Sequence, residues 1–171
     1  MTELSKRDDL PTEPDERSVL LTMLRYVRET VHFKCTGVSP ADSVRAPLGT
    51  SPLMTVNGLV NHLVWVEKHW IEGVFLGRDI GGEFTDEDPD WEMRTAVEHP
   101  LDELLAAYAA QAAANDEVIA AGDLDRMSAK RRRGGEPFPM RWIVLHLIEE
   151  TARHNGHLDI LREMADGTTG D

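Results

Sequence analysis

One cysteine, Cys35, stands in a chain of 171 residues. A single thiol makes no internal disulfide and cannot build a cysteine-based zinc knuckle. It ends a helical pattern in VHFKCTG, where a small buried apolar residue is the expected role ahead of a reactive thiol. Positive charge is also scarce: 18 Lys and Arg against 31 Asp and Glu leave a net charge of −13. That balance repels nucleic acid and anionic membrane surfaces, both of which need a basic footprint. The one basic run, Lys130 to Gly135 (KRRRGG), is short and lies between helical patterns. It reads as a solvated loop, with a phosphate or carboxylate contact as the minority reading. No apolar run approaches the length of a bilayer span. The N-terminal stretch MTELSKRDDLPTEPDERS has charges and prolines where a signal peptide has an apolar core. The expected compartment is the cytoplasm. Strand-like alternation and internal repeats are absent as well.

What is present is helical periodicity. A length of 171 residues with 41% apolar and 29% charged residues suits one ordinary globular domain. Residues 1–14 read as a flexible tail, with Pro11 and Pro14 stopping regular structure. A first helix is predicted from Asp15, its cap, to Thr36, with Leu20, Leu24, Val27 and Val31 on one face. Ser39-Pro40 can start a short helical turn in the connector that follows. A second helix runs from Thr55 to Leu76, where Leu59, Leu63, Val66, Trp70 and Val74 recur and Gly77 closes it. Residues 77–99, rich in glycine and acids, read as a long loop. A third, alanine-rich helix spans Leu101 to Ala121, and a fourth runs from Pro139 or Met140 to Ala165, before a C-terminal tail at 167–171. Four such helices make an all-α four-helix bundle, with a long loop between helices two and three, the expected fold.

The fourth helix contains HLIEETARHNGHLDILRE, residues 146 to 163. At about 100° per residue, with His146 at zero, Glu150 falls near 40°, His154 near 80° and His157 near 20°. All four share a face. Glu150 and His154, one turn apart, can reach one ion, and His146 with Glu150 is a second such pair. His146 and His157 cannot share an ion, because eleven residues of helix span about 16 Å. On the second helix His62 and His69 point the same way but lie about 10 Å apart, so that helix offers one ligand per ion. His62 is flanked by Leu59, Leu63 and Val66, and a polar group among aliphatics needs a partner. Glu150 lies beside the stripe of Val144, Leu147, Leu158 and Leu161, where a carboxylate needs a cation or donors. One helix-two histidine with Glu150 and His154 would give two imidazoles and a carboxylate. Such a set leaves coordination positions open and suits zinc, nickel or ferrous iron rather than calcium. The plain alternative is a satisfied core histidine opposite a solvated Glu–His pair.

NHLVWVEKHW (Asn61 to Trp70) and EETARHNGHLDILRE (Glu149 to Glu163) resemble the DinB-like superfamily of bacterial four-helix proteins, in particular an actinobacterial branch. The resemblance covers about residues 15 to 165. The superfamily includes the mycothiol-dependent maleylpyruvate isomerase and the bacillithiol and mycothiol S-transferases. Membership implies a divalent metal, zinc foremost, held by a histidine early in helix two, matching His62, and by two residues four apart on the last helix. Those match Glu150 and His154, with Gly156 following. Many members have histidine at the position of Glu150, whereas the isomerase resembles this chain in having glutamate. His157 stands where members often have glutamine. It can line the pocket, bond to a ligand residue, or be a partly exposed histidine. Trp65 and Trp142 are pocket candidates whose plainer role is in the core. Arg141, just inside the helix start, can bind an anionic substrate or pair with an acid.

The resemblance implies an enzyme in which a metal in residues 15–166 lowers the pKa of a low-molecular-weight thiol. Mycothiol is the implied co-substrate, and a composition rich in alanine, arginine and aspartate agrees with it. The reaction would be S-transfer to a small electrophile or a thiol-assisted isomerisation, with metal-activated hydrolysis as another outcome. A second hypothesis is a non-catalytic metal-binding or stress-linked helical module, dimeric through helix faces. A third is a plain helical bundle without metal.

Overall fold

A computed structural model describes residues 15–131 and 135–169. The expected N-terminal tail, Arg132, Arg133 and Gly134 of the basic run, and residues 170–171 lie outside the described residues. The chain is mostly helical. Its long helices are α1 (Glu16–Cys35), α3 (Val56–Lys68, continued by a π-helical segment His69–Phe75), α5 (Leu101–Ala121) and α6 (Met140–Asp166). α1 packs along α6, α3 along α5, and α3 also meets α6. No helix among the described residues is long and apolar enough to cross a membrane.

Local chemistry sets the helix ends. The Asp15 side chain accepts from the Ser18 amide and starts α1. Ser39 caps α2 (Pro40–Ser43), the expected short turn, with proline at the first helical position. Thr55 Oγ1 accepts from the Gly58 amide at 2.8 Å and starts α3. Gly167 takes φ 77° and closes α6 in the left-handed conformation, where a side chain would be strained. Thr55→Ala should cost about 1 kcal/mol of stability. Urea denaturation checks this, and an unchanged midpoint would mean that α3 does not depend on its cap.

Two features differ from the sequence expectation. Residues 77–99 are not wholly a loop, because they contain α4 (Trp91–Thr95) and a 3-10 turn, Ala96–Glu98. A small antiparallel hairpin, β1 (Met127–Arg131) and β2 (Pro137–Pro139), precedes α6, where no strand was expected. MSAKR alternates over only four residues and buries its serine while Met127 and Ala129 are exposed, and PFP carries two residues without an N–H, so neither reads as an ordinary half-buried strand. The hairpin is held instead by Ser128, whose Oγ accepts from the Phe138 amide at 2.9 Å and donates to the Lys130 carbonyl at 2.6 Å. Phe138 then packs on Trp70 and Trp142.

The core is two apolar clusters with a polar level between them. One cluster holds Leu24, Val27, Ile71, Ile119, Ile143 and Leu147; the other holds Val31, Leu63, Tyr108, Leu158 and Leu161. On each long helix a buried polar residue falls between them in sequence: Arg28, Glu67, Asn115, and Glu150 with Thr151. Arg28 grips Glu67 with two charge-assisted bonds, Nε to Oε1 at 2.6 Å and Nη2 to Oε2 at 2.7 Å, and reaches Asp116 at 2.6 Å. Asn115 Nδ2 donates to Glu67 Oε2 at 2.7 Å.

Candidate metal centre

α3 and α6 bring His62, Glu150 and His154 together. His154 Nε2 lies 3.2 Å and His62 Nε2 3.5 Å from Glu150 Oε1. One donor atom from each residue lies within 4.8 Å of the others, and no second such group occurs among the described residues. A contact of 3.5 Å is long for a hydrogen bond. Two ligand atoms about 2.0–2.1 Å from one tetrahedral ion stand about 3.4 Å apart. The two contacts to Glu150 are close to that spacing, while the three donors together spread over up to 4.8 Å.

Glu92 on α4 turns His62 toward the cluster. Its Oε1 lies 2.9 Å from His62 Nδ1, and a carboxylate only accepts, so Nδ1 holds a proton and Nε2 is the nitrogen left to bind a cation when the ring is neutral. Two asparagines of α3 hold this segment in place: Asn61 Nδ2 donates to the Glu92 carbonyl at 2.7 Å, and Asn57 Nδ2 to the His99 carbonyl at 2.7 Å. On the other side, His157 Nδ1 lies 3.2 Å from His154 Nδ1. Both imidazoles thus present Nε2 inward and have their remote nitrogen partnered, the arrangement that orients metal ligands. A lone core histidine needs neither feature.

The electrostatics are uneven. Burial pulls the pKa of His62 down, but Glu92 and Glu150 outweigh it and leave it raised. Burial, followed by the charge of His62, pushes His154 down to about 4, so this imidazole is neutral near pH 7. Burial works to raise the pKa of Glu150, which is 8% exposed, yet the neighbouring Arg153 guanidinium, with smaller help from His154 and His62, leaves it lowered. The cluster is an anion, Glu150, between a neutral imidazole, His154, and one that Glu92 and Glu150 favour in its protonated form, His62; a divalent cation of borderline softness suits these donors and would displace that proton on binding.

The cluster lies between two cavities. One, about 390 Å³, opens beside His62 and is walled by Trp65, Trp70, Ile80 and Phe84. The other, about 320 Å³, opens beside His154 and His157 and is lined by Met54, Leu59 and Met93. Trp65 and His157, two of the expected pocket residues, therefore each face a cavity. Arg141 lies about 13 Å of helix away from Glu150 and pairs with Glu16 and Asp125. Trp142 packs on Trp70 and stacks on His146 at 5.1 Å between centroids, away from the three donors. His146 pairs with Glu149 at 3.3 Å and does not join the cluster. Cys35 is buried, which pushes its thiol up to about 12 and makes it a poor nucleophile.

Sequence reasoning missed Glu92. It sits in a short helix without a side-chain cap, amid acids that carry no period. The only available signal was the adjacent Trp91, an aromatic in an otherwise polar stretch.

A mostly helical protein with an open His–Glu–His cluster between two cavities is a candidate small-molecule enzyme. The sequence model of the family described as Mycothiol-S-transferase matches residues 19–167. The chain belongs to that family, within the DinB-like superfamily. No curated protein matches it.

Proposed function

We propose that the protein is a metal-dependent mycothiol S-transferase, built as a DinB-like four-helix bundle over residues 15–166. One observation carries this reading: the two inward Nε2 atoms and Glu150 Oε1 meet within 4.8 Å at the junction of two cavities. Residues His62, Glu150 and His154 would hold a divalent cation, zinc by preference, with nickel and ferrous iron suiting the same donors. When bound, the cation supplies Lewis acidity that lowers a thiol's pKa and makes the thiolate available near neutral pH.

The residues do the rest. Three protein donors leave room for an incoming group. Glu92 and His157 fix the two imidazoles, so the site need not reorganise when substrate arrives. The apolar cavity walls keep water from the reacting atoms. Mycothiol must bring the thiol, because Cys35 is buried and its pKa is raised. In the transfer the thiol proton leaves to solvent. The sulfur lone pair forms the bond to the electrophilic carbon, and the leaving group departs with its bonding pair.

The test uses mycothiol and monochlorobimane. Metal-loaded protein should form the fluorescent conjugate well above the rate of mycothiol alone, and metal-stripped protein should not. Equal rates with and without metal would contradict the reading. Glu92→Ala should lower metal affinity about 10–100-fold, read by competition with a chromogenic chelator, while circular dichroism stays unchanged. Unaltered affinity would remove Glu92 from the site.

A further inference from the structure

The cavity beside His62 has an unusual wall. Two of its lining residues, Trp65 and Phe84, form a closed aromatic trio with Trp91, which packs on them from outside the lining: the ring centroids are 5.2 Å apart for Trp65–Phe84, 5.4 Å for Trp65–Trp91 and 5.3 Å for Phe84–Trp91, each pair close to edge-on. Trp70 and Ile80 extend the apolar surface. All four tryptophans of the chain stand in or against this region, since Trp142 packs on Trp70.

The segment between the π-helical turn and α4 is shaped to bring Phe84 there. Gly82 has φ 99°, and a Cβ on it would stand 2.8 Å from the Phe84 ring and 3.2 Å from Trp65. Any larger residue would push the ring off the cavity. Phe84 is nevertheless 41% exposed. A phenylalanine folded back on a tryptophan yet left this open has a ring face available to a ligand.

Charge narrows the ligand further. Among the described residues, no lysine or arginine lines the cavity; its ionisable groups are His62, His69 and Glu92. An anionic substituent seated on the apolar wall of Trp65, Trp70, Ile80 and Phe84 would be desolvated with no cation in that part of the lining to offset it. A volume of about 390 Å³ is at the small end for ligand sites.

We propose that this cavity is the acceptor site and that its electrophile is a flat, uncharged aromatic compound packed against the wall formed by Trp65 and Phe84, with its reactive carbon toward His62. The proposal rests on the transferase reading and names the substrate class for it. The cavity at His154 and His157, on the other side of the cluster, is left for the thiol.

Two measurements on the full chain test this. Calorimetric titration with 1,3-dinitrobenzene, an unreactive aromatic, should show binding that weakens about tenfold or more in Phe84→Ala and Trp65→Leu and recovers in Phe84→Tyr. In transfer assays, wild type should prefer 1-chloro-2,4-dinitrobenzene over iodoacetamide, and the ratio of the two kcat/KM values should fall by a similar factor in Phe84→Ala, through KM. Unchanged dinitrobenzene binding in both variants would overturn the proposal. So would competition between mycothiol and dinitrobenzene for one site, because the cavity would then belong to the thiol. If neither electrophile is conjugated while dinitrobenzene still binds through Phe84, the transferase reading fails and the aromatic ligand class stands.

Discussion

Glu150→Ala protein is expected to fold normally and to come through purification without its metal. Glu150 supplies the anionic donor of the cluster, and its removal leaves two imidazoles. The loss in affinity should exceed the ~10–100-fold that removal of an outer partner brings. Folding should survive because no buried charge is stranded: the partner of Glu150, Arg153, has 56% of its side chain exposed and can turn to solvent. His62→Ala is a poorer variant, because it leaves Glu92, 6% exposed, without the imidazole that it holds. Metal content after dialysis, with circular dichroism on the same sample, decides the matter. A Glu150→Ala protein that keeps a full complement of metal would place the ion elsewhere.

The second large effect is on stability. Arg28→Met should destabilise the protein by about 3–5 kcal/mol, because Glu67, 1% exposed, would remain as a charge without its guanidinium. For a chain of this size that is roughly 6–20 °C in Tm. Most of the cost is the stranded partner, not the lost attraction. The double variant Arg28→Met/Glu67→Leu should therefore regain much of the loss. Scanning calorimetry on wild type, the single and the double variant checks both parts. If the double variant were less stable than the single one, Glu67 would not be a stranded charge in Arg28→Met, contrary to this account.

Much of the scaffold was legible because it repeats every three to four residues. The first helix was expected from Asp15 to Thr36, and the structure puts its caps at those residues. The second was expected from Thr55 to Leu76 and has those two residues as its outer limits, although it widens at His69 into a π-helical segment. Apolar spacing does not reveal that widening. A 3.6-residue period continues through it, and what marks it is backbone bonding five residues back, as from the Leu76 amide to Ile71. α5 spans Leu101–Ala121 as expected. What lacked a period was not legible. The hairpin adds a serine hydroxyl to its backbone pairing, and α4 is tied to α3 by the Asn61 bond to the Glu92 carbonyl. The same division applies to the site. Glu150 and His154 are one turn apart on one helix, so spacing alone pairs them. His62 lies 88 residues from Glu150, and only its place on an apolar stripe pointed inward. Glu92 has no periodic signal, only the neighbouring Trp91, and becomes visible when α4 is folded against α3.

The central claim is that His62, Glu150 and His154 hold a cation at which mycothiol is activated. It is tested most directly by measuring metal and thiol on one preparation. The protein is purified without a histidine tag, its metal is quantified by mass spectrometry, and mycothiol is titrated calorimetrically into loaded and stripped samples. The account predicts about one divalent ion per chain and mycothiol binding that is lost when the ion is removed. A chain that takes up no stoichiometric metal, or that binds mycothiol equally well without it, would contradict the account.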